Sequence, residues 1–201
     1  MKISRLKHIS RELRRHAPFT ALGALIGTVV MAIVFAVGLA QSASEDIFHI
    51  LHPAHLLLSA IVTSAVYRQH GNIWVALVIG FIGSVGICSI SDIALPHMGG
   101  VLLGAEMHLH VCILEHPWLV VSFALIGAAI GALTRRWTRC PHAAHVLIST
   151  MASLFYLVAF GIVDWALRLP LVFVVLFIAV WLPCCASDII FPHLFTKGKH
   201  H

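Results

Sequence analysis

Six long apolar runs fill most of this sequence, and they constrain its fold more than any single motif does. They cover residues 19–40, 53–67, 73–90, 117–133, 143–162 and 169–186. A bilayer core about 30 Å thick requires about 20 apolar residues per helix. Hydrophobic residues make up 60% of the chain and charged residues only 10%, a balance typical of integral membrane proteins. The sequence therefore predicts an all-α polytopic membrane protein with six transmembrane helices.

The basic residues are placed asymmetrically around these runs. With a cytoplasmic N-terminus, only Arg168 among the 13 Lys and Arg residues lies on the opposite side, which is the distribution that the positive-inside rule describes. Both termini are therefore expected in the cytoplasm, at a plasma or inner membrane. The net charge of +5 then faces anionic lipid rather than nucleic acid. The first run is too long for a signal peptide, whose apolar region spans about 7–15 residues.

Three pairs of similar segments divide the chain into two halves. CSISDIALPH (88–97) matches CCASDIIFPH (184–193), and HPAHLLLSA (52–60) matches HAAHVLIST (142–150). A fainter pair begins at His16 and His116. Since each half holds three predicted helices, we expect a 3+3 inverted-topology repeat, an arrangement typical of secondary transporters. The expected units are a basic cytoplasmic segment (1–18), the first repeat (19–97), an outer loop (98–116), the second repeat (117–195) and a cytoplasmic tail (196–201).

The repeated His and Asp residues are the candidate ligands, because ionisable groups inside a membrane are costly and usually functional. The predicted topology places one set at the outer face: His52, His55, Asp92, His97 and His116. The matching set at the inner face is His142, His145, Asp188, His193 and His16. His-x-x-His directs both rings to one helical face. Pro96 and Pro192 are expected to end their helices, so that the following His turns back towards the Asp.

Three or four His with one Asp match the preferences of a borderline divalent metal. The set suits Zn(II), Fe(II), Mn(II), Co(II) or Ni(II) and is poorly suited to Ca(II) or Mg(II), which prefer oxygen ligands. Hydrogen-bonded structural His and Asp are the alternative, and recurrence in both halves favours metal sites. Cys88 and Cys184 lie one turn before each Asp, where they can act as soft ligands or simply pack.

The predicted outer loops hold further acidic and imidazole groups. They are Glu45, Asp46, His49, Glu106, His108, His110 and Glu115. Such groups can concentrate cations at an entrance, but loop residues are also polar because they are wet, and the sequence favours neither interpretation. The apolar segment 98–105 is too short to span and is expected to be re-entrant or interfacial.

These features favour membrane transport of a divalent transition-metal ion through paired His/Asp sites at the two faces. The alternative is an integral-membrane metal-dependent hydrolase, because a metal with an open coordination position activates water, although one site would then suffice. A haem or quinone protein would place its His deeper in the helices. The expected partners are the metal ion and the lipid bilayer. The ion's identity, the direction of transport and assembly into a homo-oligomer stay open.

Overall fold

The computed structural model describes residues 2–69, 71–134 and 140–185, with the backbone alone for 2–10, 12, 15, 140–143 and 185. Of the described residues, 86% are helical. Four segments are long and apolar enough to span a membrane: His16–Ala36, Gln41–Arg68, Ile73–Leu102 and Ala166–Cys184. Two shorter apolar helices, Pro117–Leu133 and Ala144–Phe160, accompany them. The prediction of an all-helical chain with apolar helices of membrane length is confirmed.

The elements follow the order of the six apolar runs. α1 is Lys2–Ala36, α2 is Gln41–Arg68 and α3 is Ile73–Ser89, and a π-helical turn at Ile90–Ala94 joins α3 to α4, Leu95–Leu102. α5 is Cys112–Glu115, α6 is Pro117–Leu133, α7 is Cys140–Phe160 and α8 is Leu169–Cys185, with a 3₁₀ turn at Ala166–Arg168 before α8. β1, Glu106–Met107, pairs antiparallel with β2, Gly161–Ile162.

α2 is the central helix of the bundle. It packs against α3, α6 and α7, whereas α1 packs against α7 and α8. Two glycines let α6 approach α2 closely: a Cβ at Gly127 would meet the carbonyl oxygen of Leu57, and one at Gly131 would meet that of Ile61. Small residues are typical of helix contacts in membranes, where close van der Waals packing must hold the helices together.

The third helical segment is longer than the sequence predicts, and its middle contains an unusual turn. The backbone N–H of Leu95 donates to the carbonyl of Ile90, a bond that widens the helix around Asp92. Pro96 lies in the first turn of α4, where its missing N–H is tolerated. The expectation that Pro96 ends the helix is therefore wrong. Residues 98–102 continue the helix instead of forming a re-entrant segment.

One end of the bundle is covered by residues 103–116 and 161–168, which we call the cap. β1 and β2 join these two stretches. The backbone N–H of His108 donates to the carbonyl of Phe160 at the end of α7 (2.8 Å). The loop before α6 is therefore attached to the end of α7.

Arg168, the one basic residue predicted to lie apart from the others, closes the cap. Its guanidinium donates to the carbonyl oxygens of Leu103 (2.6 Å) and Asp164 (2.9 Å). The carbonyl of Leu103, at the turn after α4, thereby finds a partner, as half-buried backbone groups require. Arg168 therefore has a structural role in the cap.

Candidate metal centre

A buried carboxylate organises the centre of the bundle. Asp92 is fully buried, and its Oδ2 accepts hydrogen bonds from Nδ1 of His52 (2.8 Å) and Nδ1 of His55 (2.7 Å). Its Oδ1 accepts from the hydroxyls of Ser91 (2.8 Å) and Ser149 (3.1 Å). The sequence predicts that His52, His55 and Asp92 gather, and the structure brings these three together.

These hydrogen bonds determine which ring nitrogen remains available. A carboxylate only accepts hydrogen bonds, so His52 and His55 each carry a proton on Nδ1, and in the neutral ring Nε2 has a lone pair. Carboxylates commonly hold the far nitrogen of a metal-binding imidazole, because this fixes the tautomer and the ring orientation. Asp92 is therefore placed to orient two imidazoles rather than to be a ligand itself. That is a different role from the one that the sequence predicts.

The Nε2 atom of His55 faces a group of possible ligands. It lies 3.8 Å from Cys88 Sγ, and the His145 ring lies beside the His55 ring with a centroid distance of 4.6 Å. One ligand atom from each of the three residues lies within 4.8 Å of the other two, and all three residues are buried. Cys184 Sγ donates to Ser149 Oγ (3.6 Å) and also interacts with both rings. We call His55, Cys88, His145 and Cys184 the central cluster.

Two imidazoles and two thiols are the donor set of many tetrahedral zinc sites. Thiolate and imidazole ligands suit Zn(II) and other first-row divalent ions, and they do not suit Ca(II) or Mg(II). A charge in an apolar interior must be balanced, and the carboxylate of Asp92 lies immediately behind the His55 ring. The central cluster can therefore hold a divalent transition-metal ion chemically.

His52 adds a second unusual feature. Its Nε2 atom is buried and has no hydrogen-bond partner among the described residues, while its ring stacks on Phe48 with a centroid distance of 5.4 Å. An unsatisfied buried polar atom costs about 1–3 kcal/mol. Such an atom needs a partner from outside the described residues, and an ion or a water molecule can supply one.

The central cluster does not follow the predicted division into outer and inner sets. His55 belongs to the predicted outer set and His145 to the inner set, yet their rings are adjacent. The reason lies in the helix bounds, because α2 begins at Gln41 rather than near residue 53, so His55 lies in the middle of the helix. α2 also packs directly against α7, which brings the two His-x-x-His motifs together.

The remaining predicted ligands are not among the described members of the central cluster. His97 lies inside α4 rather than after a helix end, and its ring centroid lies 6.5 Å from that of Tyr156. His16 is half-buried on α1. The side chain of His142 and the whole of Asp188 and His193 lie outside the described residues.

Three histidines form a second group where α2 meets the cap. His49 Nε2 and His110 Nε2 are 2.9 Å apart, and the centroids of the His49 and His116 rings are 4.9 Å apart. Ligand atoms of all three lie within 4.8 Å of one another. We call His49, His110 and His116 the cap cluster. The sequence predicts His116 beside Asp92. His116 is instead the residue before the first turn of α6, and it joins this group.

Burial and a nearby carboxylate set the protonation of the cap residues. His110 Nδ1 lies 2.9 Å from Glu115 Oε1. Burial lowers the pKa of His110 below its ordinary value, although Glu115 and Glu45 oppose the shift, so the ring is neutral near pH 7. Neutral imidazole is the form that binds metal. Burial, assisted by Glu115, also raises the pKa of the neighbouring Cys112 thiol to about 12, which makes it a poor ligand at neutral pH.

Several members of these groups are not among the ligands that the sequence predicts. Cys88 and Cys184 belong to segments that occur in both halves, and the sequence leaves open whether they bind a metal or only pack. His49 and His110 are different, because 61 residues separate them and no motif links them. Their meeting depends on how the cap folds.

Comparison with protein-family models, with curated proteins and with solved structures gives no match for this chain. The class that fold and site define is an all-helical chain with apolar helices of membrane length and two His-rich groups that could hold metal ions. What the protein does must be argued from the chemistry of those two groups.

Proposed function

We propose that this protein carries a divalent transition-metal ion, of the Zn, Fe, Mn, Co or Ni class, across a membrane through the central cluster. The observation that carries the proposal is the contact between His55 and His145. These two residues hold equivalent positions in the repeated halves of the sequence. An axis that relates the halves would pass between them, so an ion bound there touches both halves at once.

Helix packing supports a 3+3 inverted repeat with six membrane spans. Equivalent residues make equivalent contacts: a Cβ at Gly27 would lie 3.0 Å from Thr150 Cγ2, and one at Gly127 would lie 2.9 Å from Ala60 Cβ. α1 thus packs on the second half as α6 packs on the first. α6 has 17 residues, the lower limit of about 17 for a span. Six spans return both termini to one side, which the basic residues predict to be the cytoplasm.

The burial of the site fits transport by alternating access. In this mechanism two similar halves move against each other around a fixed site, which opens to one side at a time and is closed to both in between. His55, Cys88 and His145 are each fully buried, as such a closed state requires. The binding site of an inverted-repeat transporter also lies at the interface of the repeats, where this pair of rings is found.

Charge balance links the ion to protons. A thiol must lose its proton to bind a metal, so Cys88 and Cys184 can supply negative charge that, with the Asp92 carboxylate, offsets the charge of a divalent ion. When the ion leaves, protons must replace it, because uncompensated charge in an apolar interior is costly. Metal and protons therefore compete for one site. This competition provides a physical basis for coupling ion movement to a proton gradient.

A membrane metal-dependent hydrolase is the alternative from a different class. Such an enzyme needs a metal with an open coordination position beside a pocket for the substrate. The central cluster is enclosed by helices: two imidazoles and the Cys88 thiol lie within reach of one ion, and the Cys184 thiol contacts both rings, so protein groups can surround the ion as in a closed site. These features favour an ion that is bound by protein alone over an ion that activates water.

Ion flux into proteoliposomes tests the proposal. Vesicles that contain a metal-sensitive dye receive Zn(II), Fe(II), Mn(II), Co(II) or Ni(II) outside, with and without a pH gradient. We expect saturable flux for the wild type and a loss of at least about tenfold for His55→Ala and His145→Ala alike. The matched control is His108→Ala, an exposed histidine of the cap, which should leave flux unchanged. Wild-type protein that binds these ions but moves none of them would overturn transport and favour the enzyme.

A further inference from the structure

The cap cluster lies close to the histidines that Asp92 orients. His49 precedes His52 by one helical turn on α2, so their side chains share a helix face. His110 comes from the loop of the cap, and His116 precedes the first residue of α6. Three separate elements thus direct imidazoles to one place, which lies next to the buried residues His52 and His55 of α2.

The hydrogen bonds of the cap cluster leave nitrogen lone pairs that can bind a metal. Glu115 accepts the Nδ1 proton of His110 at 2.9 Å, so His110 Nε2 has the lone pair. That atom faces His49 Nε2 at 2.9 Å, and the proton of this contact is the one that a metal ion would displace. The pair of Glu115 and His110 repeats the arrangement of Asp92 and His55, in which a carboxylate fixes the ring.

Ring packing alone does not explain this geometry. The His110 ring stacks on Phe160 with a centroid distance of 4.5 Å and an interplanar angle of 4°, which accounts for that ring only. His116 is exposed and meets His49 edge-on, so burial of apolar area does not hold it there. Glu45 adds a carboxylate whose charge acts on both His49 and His110. Carboxylates around converging imidazoles attract and hold cations.

We propose that His49, His110 and His116 form a second metal site, for a first-row divalent ion such as Zn(II) or Co(II). Three imidazoles leave the fourth position of a tetrahedral ion open to water or to another ligand. The exposed ring of His116 gives an ion access from the cap. Metal binding at this site does not depend on whether the central cluster transports ions.

Cobalt(II) absorption distinguishes this site from the central cluster. Co(II) bound by a thiolate shows an intense charge-transfer band in the near ultraviolet, and Co(II) bound by imidazole and water shows only weak visible bands. The titration uses full-length protein in detergent, purified without a polyhistidine tag. All proteins in this titration, including the one called wild type, carry His200→Ala and His201→Ala, so that the terminal pair adds no site. Cys88→Ser, Cys184→Ser and His145→Ala together remove both thiols and one imidazole of the central cluster.

In that background we expect one Co(II) per chain without the thiolate band. Adding His116→Ala should weaken this binding by at least about tenfold, because one of three ligands is lost. Adding His108→Ala instead should leave it unchanged, since that exposed histidine lies on the same loop outside the cluster. Affinity that is the same with and without His116→Ala would overturn the proposal, as would an equal loss with His108→Ala.

A single substitution guards against misfolding of the combined variant. His116→Ala alone should retain the thiolate band and lose only the component without it, lowering the stoichiometry from two ions to one. Wild-type protein without the thiolate-free component would overturn the cap site and leave the central cluster standing. Wild-type protein without the thiolate band would contradict the central cluster and leave the cap site standing. Size-exclusion elution shows which variants remain folded.

Discussion

The imidazole rings of His55 and His145 lie 4.6 Å apart and are tilted by 39°, although they belong to opposite halves of the chain. Both rings are within reach of one ion. Residues that act on one site are not additive when they are replaced together. His55→Ala and His145→Ala should each weaken Co(II) binding with the thiolate band by at least about tenfold, and the double variant should be little weaker than either. Titration of the three variants would reject a shared site if the losses multiplied.

Asp92→Asn should lower both stability and metal affinity. Asn is neutral and offers one acceptor oxygen where the two oxygens of Asp92 receive four hydrogen bonds, so it cannot accept from both the imidazoles and the serine hydroxyls, and it loses the charge that makes such bonds worth about 1.5–3 kcal/mol each. Thermal unfolding in detergent measures the loss. Asp46→Asn, which changes an exposed carboxylate on the same α2 helix, is the matched control. Equal melting temperatures for these two variants would show that Asp92 does not hold the histidines.

Metal binding to the central cluster should release protons. Cys88 must be deprotonated to bind, so the addition of Zn(II) to a weakly buffered sample should acidify it. Cys88→Ser should reduce the number of protons released per bound ion. The measurement is the pH change, or the dependence of the calorimetric heat on buffer ionisation. The same proton release from wild type and Cys88→Ser would exclude the thiol as a ligand.

Gly131→Ala should destabilise the bundle far more than Gly86→Ala. A Cβ at Gly131 would collide with the backbone carbonyl of Ile61 on α2, whereas a Cβ at Gly86 meets nothing within 4 Å. Alanine in an open helical position is favoured over glycine by about 0.5–1 kcal/mol, so Gly86→Ala should be neutral or stabilising. Thermal unfolding of both variants tests the close approach of α6 to α2. Similar melting temperatures would contradict it.

The Cys112 thiol should resist alkylation in the folded protein. Its pKa is raised to about 12 by burial and by Glu115, so the thiolate that reacts is scarce at pH 8. Mass spectrometry after maleimide treatment should find Cys112 labelled only once the protein is denatured. Leu114→Cys places a thiol at an exposed position of the same short helix and should be labelled quickly. Rapid labelling of native Cys112 would mean that the cap is open.

The helices and the first contacts of the site could be predicted from sequence, and the meeting of the two halves could not. An apolar run of membrane length must satisfy its backbone internally, so it predicts a helix, and His52 and His55 share a face that reaches Asp92. The contact with His145 depends on α2 beginning at Gln41. The first residues of α2 are mostly polar, so the apolar run does not predict that they belong to the helix. Pro96 stays inside a helix because the π-helical turn precedes it, a local exception that no periodicity signals.

The π-helical turn at Ile90–Ala94 sets the angular phase between the two ends of the third helical segment. One residue more or fewer in a turn rotates everything beyond it by about 100°. Before Leu95 the segment presents Asp92 to α2, and beyond it the segment presents Gly99 so closely to α8 that a Cβ there would meet Val175. A chain shortened by one residue within the turn would keep its hydropathy and its ligands. It could not, however, keep both the contact of Asp92 with α2 and the contact of Gly99 with α8. Deletions here should be tolerated less well than substitutions.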